Sequence, residues 1–467
     1  MSDERSADAG DPSSLVPRAG GDVSDLLRWD REHFWHPFTQ MAECDPTLFV
    51  RAEGCTLYDH EGRAYLDGVS SLWCNVHGHR HPKLDAALRN QLDAAAHTTA
   101  LGASNPPAVR LAKRLTDLAP PGLRRVFFSD AGATAVEVAL KMAFQYWRQR
   151  SEPRPDKTCY VAFADAYHGD TLGAVSVGGV ERFHALFRPL LFETLRLPPP
   201  CARTAPPQIA PADVAAWHLD RMEELLRREA DRIAAVVIEP LVQCAAGIVV
   251  HPPGYLRGLR ELTRRYDVLL IADEVAVGFG RTGRLFACEH ERVTPDLLCL
   301  AKGLTGGYLP MAATLATDEV WNAFLGRHAD SRQFFHGHTY CGNPLAAAVA
   351  LASLDVFEEE HVLERLPEKI ARLETHLDRL ARHRHVRECR RRGLIAGIEL
   401  TADRDRGTPY AWEERRGARV CDEAKRRGVW LRPLGDVVVV MPPPAVSLDQ
   451  IDRIMEAVAA GVDAATR

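Results

Sequence analysis

Apolar residues fall in two alternating rhythms along this chain. Short runs such as Ala234-Ala235-Val236-Val237-Ile238 and Val268-Leu269-Leu270-Ile271-Ala272 contain no polar alternation, the pattern of strands buried on both faces. Between them lie stretches with apolar residues every three or four positions, among them 213–232, and these predict amphipathic helices. Strands at 125–128 and 160–163, and helices at 82–95, 107–118 and from Gly132 to about Arg148, extend the same βα rhythm. It predicts a mostly parallel sheet covered by helices. Leu57 to Leu66 reads as a β-hairpin turning at Glu61-Gly62. From about Asp355 onward, Arg/Glu-rich helices alternate with short strands at 393–400, 429–432 and 437–441, which predicts a second, smaller α+β domain. The expected organisation is a disordered polar tail over 1–24, an N-terminal segment over 25–75 that joins the small domain, a large domain over 76–347 and the small domain over 348–467.

Composition narrows the class. With 467 residues there is material for well-filled cores, and 46% hydrophobic and 26% charged residues describe an ordinary globular protein. A net charge of -5 gives no electrostatic case for nucleic acid or an anionic membrane. The eleven cysteines are odd in number, scattered and never spaced C-x-x-C, which argues for a reducing compartment and against structural zinc; no metal is expected. No apolar run reaches the length of a membrane span and no signal-peptide core is visible, so the expected location is the cytoplasm.

The chemistry gathers at strand ends. Leu297-Leu298-Cys299-Leu300-Ala301 runs straight into Lys302-Gly303, an unusual place for a charge. A buried ammonium is costly unless it is paired or neutral, and the neutral amine is a nucleophile toward carbonyls, so Lys302 reads as a Schiff-base lysine. Taken alone, a lysine after a strand more often snorkels to solvent. The other lysines lie in helix-like stretches or, for Lys157, in a Pro-rich loop. Upstream, the run 267–272 closes on Asp273-Glu274, and ligands of open α/β sheets bind at that end of the strands. Asp273 is the candidate carboxylate for a pyridine nitrogen, with Val275 pointing to the same side; a loop-capping acid is the competing reading. Gly132, Ala133 and Thr134 follow a strand and open a helix, a backbone anion site. Tyr167 could stack on a planar ring, although a core tyrosine is the commoner outcome, and Trp73 could wall a pocket.

Gly132-Ala133, Tyr167-His168-Gly169, Glu239-Pro240, Asp273-Glu274-Val275, the Gly278–Gly283 run, Lys302-Gly303 and Gly337-His338-Thr339, in that order, resemble the class III pyridoxal-phosphate aminotransferases. The resemblance covers nearly everything from about Trp29 to the C-terminus. It implies a fold-type I transferase, pyridoxal 5'-phosphate as cofactor and a homodimer with sites at the interface. Lys302 would be the Schiff-base lysine and proton shuttle, Asp273 would hold the pyridinium, Gly132 and Ala133 would take the phosphate, and Tyr167 would stack on the ring. His338 and Thr339 would reach the phosphate of the neighbouring subunit.

Within the class, Trp35 to Met41, Ser70 to Trp73 and Trp430 to Pro433 resemble the branch that aminates 8-amino-7-oxononanoate to 7,8-diaminononanoate in biotin synthesis. Arg432 matches its substrate-carboxylate position, and Phe38, Leu72, Trp73, Tyr167 and Gly337 match its pocket lining. Phe38, Leu72, Ala133 and Val439 depart from the best-known members, and two phenols are lost where S-adenosylmethionine binds as amino donor. The expected donor is therefore S-adenosylmethionine or lysine, and the alternative is another ω-aminotransferase acting on a diamine or β-amino acid.

Overall fold

The computed structural model describes residues 22–467. The tail expected over 1–24 falls outside these residues except for its last three, of which Val23 and Ser24 open the helix Val23–His33.

Seven strands form the central sheet: β1 (Leu123–Ser129), β2 (Cys159–Phe163), β3 (Thr194–Leu197), β4 (Ile233–Ile238), β5 (Leu269–Asp273), β6 (Leu297–Leu300) and β7 (Ala312–Thr317). Their order is β1-β7-β6-β5-β4-β2-β3. The run from β6 to β3 is parallel throughout, and β7 lies antiparallel to both its neighbours. The carboxyl ends of β1, β2, β4, β5 and β6 therefore share one edge.

The strands carry apolar residues at every position because both faces are covered. Along β4, Val236 and Ile238 enter one core and Ala235 and Val237 the other; along β5, Leu270 and Ala272 oppose Leu269 and Ile271 in the same way. Helix α1 (Gly132–Gln149) supplies Val136, Leu140 and Trp147 to one face. The helices Pro106–Leu118, Val214–Glu229 and Tyr255–Arg265 supply Leu111, Leu115, Met222, Leu226 and Leu259 to the other. Each fully buried Leu or Val side chain contributes about 1.5–3 kcal/mol of transfer free energy, so these two cores make the sheet the rigid part of the molecule.

Two four-stranded sheets lie outside it. One joins Phe49–Glu53, Thr56–Asp59 and Ala64–Asp67 to Val429–Trp430, and its second hairpin turns as expected at Glu61-Gly62. The other joins Val386–Arg392, Ile395–Leu400, Val437–Val440 and Arg432–Leu434. The single strand expected over 429–432 is thus divided. Val429 and Trp430 pair in parallel with Leu66 and Asp67, whereas Arg432 pairs with Val439 of the other sheet. Leu431 marks the break: its side chain fills the space over Gly68, where a Cβ would come within 2.5 Å of it. Strand β7 and edge strand β3 were not expected from sequence. Ala-Ala-Thr-Leu-Ala-Thr is poor in branched and aromatic residues, so β7 owes its state to burial between two strands rather than to propensity.

Among the described residues no helix is long and apolar enough to cross a membrane. A buried ion pair ties the sheet to the helix Tyr255–Arg265. Arg260 donates to both carboxylate oxygens of Asp296 (2.6 and 2.7 Å), and Asp296 also accepts from the Leu270 N–H at 2.7 Å. Asp296→Ala is expected to cost about 3–5 kcal/mol, because it leaves a buried guanidinium uncompensated. A thermal midpoint within a degree of wild type in a melting experiment would show that this pair does not hold helix to sheet.

Candidate active site

Loops leaving the shared carboxyl edge enclose a cavity of about 710 Å³. Lys302 follows β6 after one residue and has φ +46°, a left-handed conformation that few non-glycine residues adopt. Its amine opens on the cavity 4.8 Å from the centroid of the Trp73 ring. Surrounding protein desolvates it and lowers its pKa, although Cys244, Asp273 and Glu239 pull the other way. A second buried lysine sharpens the contrast. Lys157, in the Pro-rich loop before β2, sits under Trp147 and donates to the carbonyls of Ala230, Ile233 and Asp267, so its amine is fully engaged. Lys302 alone presents a desolvated amine to an open volume.

Asp273 ends β5 and is buried. One oxygen accepts from the Val275 N–H at 3.0 Å and the other from Nδ1 of His168 at 2.7 Å. Burial pushes the His168 pKa down, but the Asp273 contact outweighs it and leaves the imidazole above its ordinary value. Glu274, one residue on, points away from the cavity and accepts from the N–H groups of Ala287 and Cys288. The two acids at this strand end thus divide into one that faces the cavity and one that closes a loop. Val275 does face the cavity, packed so tightly on Gly132 that a Cβ there would lie 2.5 Å from Val275 Cγ1.

Gly132 and Ala133 begin α1 on the cavity wall, and the Thr134 hydroxyl accepts from the Ala131 N–H at 3.0 Å to fix the turn. The first N–H groups of a helix lack intrahelical partners, so this end offers donors to an anion. Tyr167 lines the cavity, with its hydroxyl donating to Asp170 at 2.5 Å; burial and that contact raise its pKa. Trp73 also lines the cavity and is buried, with its indole N–H unpartnered. The donors at α1, the paired carboxylate and the free amine are the set that pyridoxal phosphate requires.

Arg432 is the electrostatic neighbour of Tyr167, and burial lowers its pKa. Phe38 stands further out: it is exposed, 5.2 Å from the Phe183 ring, which is in turn 6.3 Å from Tyr167. Leu72 is exposed beside Trp73 and does not line the cavity. Gly337, His338 and Thr339 also lie off the cavity of their own chain, with His338 Nδ1 3.9 Å from Asp130 at its rim. Sequence reasoning met His168, Glu239 and Arg281 as motif residues but gave them no role. The first two were visible as a histidine beside Tyr167 and an acid at a strand end. Arg281 gave no signal of its task, which is to donate to Ser70 Oγ and to the carbonyls of Asn75 and Pro442, and so to pin the loop that carries Trp73.

Residues 40–462 match the model of the aminotransferase class-III family. The chain belongs to this family. It is 52% identical over 439 residues to the adenosylmethionine-8-amino-7-oxononanoate aminotransferase of Geobacter sulfurreducens, covering 93% of this chain and 96% of that one. It is 53% identical over 453 residues to the protein of the same name from Nitratidesulfovibrio vulgaris, covering 96% and 84%. The crystal structure of the adenosylmethionine-8-amino-7-oxononanoate aminotransferase of Methanocaldococcus jannaschii superposes with a TM-score of 0.90 at 40% identity, over 95% of this chain and 99% of that one. An (S)-enantioselective omega-transaminase of Thermomicrobium roseum superposes with a TM-score of 0.91 at 33% identity, over 96% and 99%. The fold is therefore that of the class III transaminases, and the family implies pyridoxal phosphate.

Gly169 holds the loop after β2 against the start of α1, with φ +119° and space for a Cβ only 2.4 Å from that of Ala133. Gly169→Ala is expected to destabilise the chain by about 1–3 kcal/mol through backbone strain. Unfolding in denaturant, compared with wild type, reads this directly, and an unchanged midpoint would mean that loop and helix are not locked together.

Proposed function

We propose that this chain transfers an amino group to the ketone of 8-amino-7-oxononanoate, forming 7,8-diaminononanoate for biotin synthesis, with pyridoxal 5'-phosphate as cofactor and S-adenosylmethionine as donor. The observation that carries the proposal is the free, desolvated amine of Lys302 in the same cavity as the His168-supported carboxylate of Asp273. The names of the relatives narrow it to this substrate.

When bound, pyridoxal phosphate supplies an electron sink that lets an amine lose its α-proton. The chain's own groups supply the rest. A lysine whose pKa is lowered by burial spends more of its time as the neutral amine at working pH, and can accept and return a proton at Nζ. Asp273 keeps a cation favourable at its end of the cavity, and its hydrogen bond from His168 fixes the carboxylate plane. The N–H groups of Gly132 and Ala133 would hold the phosphate. Tyr167 would cover the ring, and Trp73, also on the cavity wall, would exclude water. Arg432 takes the substrate carboxylate bidentately beside Tyr167, with the exposed side chains of Phe38 and Leu72 on the approach outside the cavity.

His338 and Thr339 serve a second copy of the chain in a homodimer. Their loop lies off its own cavity and exposes Phe335 and Tyr340.

A lysine donor is the second reading. Phe38 lacks a phenol, and Val439 is a buried strand residue paired with Arg432, so neither offers a hydroxyl to adenosylmethionine. Mixing the yellow enzyme with each donor separately decides between them, since only a productive donor bleaches the visible band. Lys302→Ala is expected to lose both turnover and that band, and retention of full activity would refute the assignment. Arg432→Ala should raise KM for 8-amino-7-oxononanoate by roughly 10- to 100-fold with a smaller change in kcat, the loss of a charged hydrogen-bond pair. A KM unchanged in steady-state kinetics would remove Arg432 from the substrate site.

A further inference from the structure

We propose that Glu239 is a positioning residue of this site: its carboxylate, by bridging the N–H groups of Tyr167 and Cys244, holds the imidazole of His168 on Asp273. The inference rests on the reading that the cavity holds pyridoxal phosphate.

Glu239 is the first residue beyond β4, is buried, and lines the cavity. One oxygen accepts from the Tyr167 N–H at 3.1 Å and the other from the Cys244 N–H at 3.0 Å. These donors belong to two different segments. Tyr167 stands in the loop after β2, and Cys244 directly follows the short strand Val242–Gln243. His168 is the next residue after Tyr167, and its ring makes one hydrogen bond, at 2.7 Å to Asp273, while Nε2 is buried without a partner. The ring is therefore held by Asp273 at one atom and by its backbone. That backbone is fixed by Glu239.

A carboxylate suits this task and an amide does not. Two N–H groups converge on the side chain, and a glutamine would offer one accepting oxygen and set its own NH₂ against the second donor. The charge acts as well. Burial pushes the Glu239 pKa up to about 7, with His168 drawing it down and Asp273 raising it. The titratable groups facing this cluster are His168, Asp273, Lys302, Cys244 and, further out, Arg281 beside Cys244 and Cys74 toward Lys302. Among them Glu239 is one of the charges that favour a cation at Lys302. Removing it makes a positive nitrogen there less favourable.

A purely structural acid would close two turns and affect only stability. The test compares wild type, Glu239→Gln and Glu239→Asp in two readouts besides turnover. These are the dissociation constant of pyridoxal phosphate from the apo chain, and the pH midpoint of the bound cofactor's visible band. Glu239→Gln should weaken cofactor binding roughly tenfold or more, through the lost hydrogen bond and the displaced His168. It should also move the midpoint to lower pH by roughly one unit, because a stabilising negative charge is gone. Glu239→Asp keeps the charge but is one methylene too short to span both donors. It should weaken binding while leaving the midpoint near that of wild type.

A Glu239→Gln protein with only a lower melting temperature, and with both readouts unchanged, overturns the proposal. Should that variant fail to fold, unchanged cofactor affinity in Glu239→Asp overturns it equally. A wild-type chain that takes up no pyridoxal phosphate would instead sink the proposed function, and so the two failures are distinguishable.

Discussion

Keeping an amine dry at the end of a strand is the constraint on which the rest of this structure depends. An ammonium in a low-dielectric surrounding is penalised by several kcal/mol, and the penalty falls if the group is neutral or faces anions. Lys302 is subject to both remedies at once: burial pushes its pKa down, and Asp273 and Glu239 limit the fall. A poise of this kind requires the carboxylates to stay at fixed distance. Parallel strands β4, β5 and β6 provide that, because Glu239, Asp273 and Lys302 leave neighbouring strands of one hydrogen-bonded sheet whose two faces are both filled.

Part of the backbone strain lies beside this amine. Lys302 has φ +46°, and Ser70, Ser71 and Trp73 have φ between +52° and +63°. Such conformations cost of order 1–3 kcal/mol each and persist only where neighbouring contacts over-determine them. For the Trp73 loop those contacts are visible. Arg281 binds Ser70 and the carbonyls of Asn75 and Pro442, and Asp67 accepts from the Ser71 N–H. Burying a guanidinium with no carboxylate partner lowers its pKa to about 10, a cost set against the rigidity of the wall that faces Lys302.

What could be read from the sequence divides along physical lines. Strands β4 and β5 announce themselves as unbroken branched runs, and Lys302 and Asp273 as charges where such runs end. The cavity brings Lys302, Asp273, Gly132, Ala133, Tyr167 and Trp73 together. Strand β7 could not be read, since Ala312 to Thr317 is a strand by virtue of its neighbours. Nor could the split at Leu431, which depends on Gly68 some 360 residues away in the chain. Lys157 shows the limit of local reasoning from the other side: it lies in a loop, as its Pro-rich surroundings suggest, yet three carbonyls from distant segments gather around its amine. His168 and Glu239 matter through contacts with Asp273 and Tyr167, and contacts between loops leave no trace in spacing.

The cavity wall carries both signs of charge. The start of α1 presents unpartnered N–H groups there, a partial positive charge that favours an anion. Asp273 and Glu239 line the same wall and favour a cation at Lys302. The imidazole of His168 offsets this crowding of acids: burial and Asp273 raise the Glu239 pKa, and His168 draws it back down. Hence the histidine beside Tyr167 is as much a condition of the site as the lysine, because one ring both bonds Asp273 at 2.7 Å and balances the acid on the neighbouring strand.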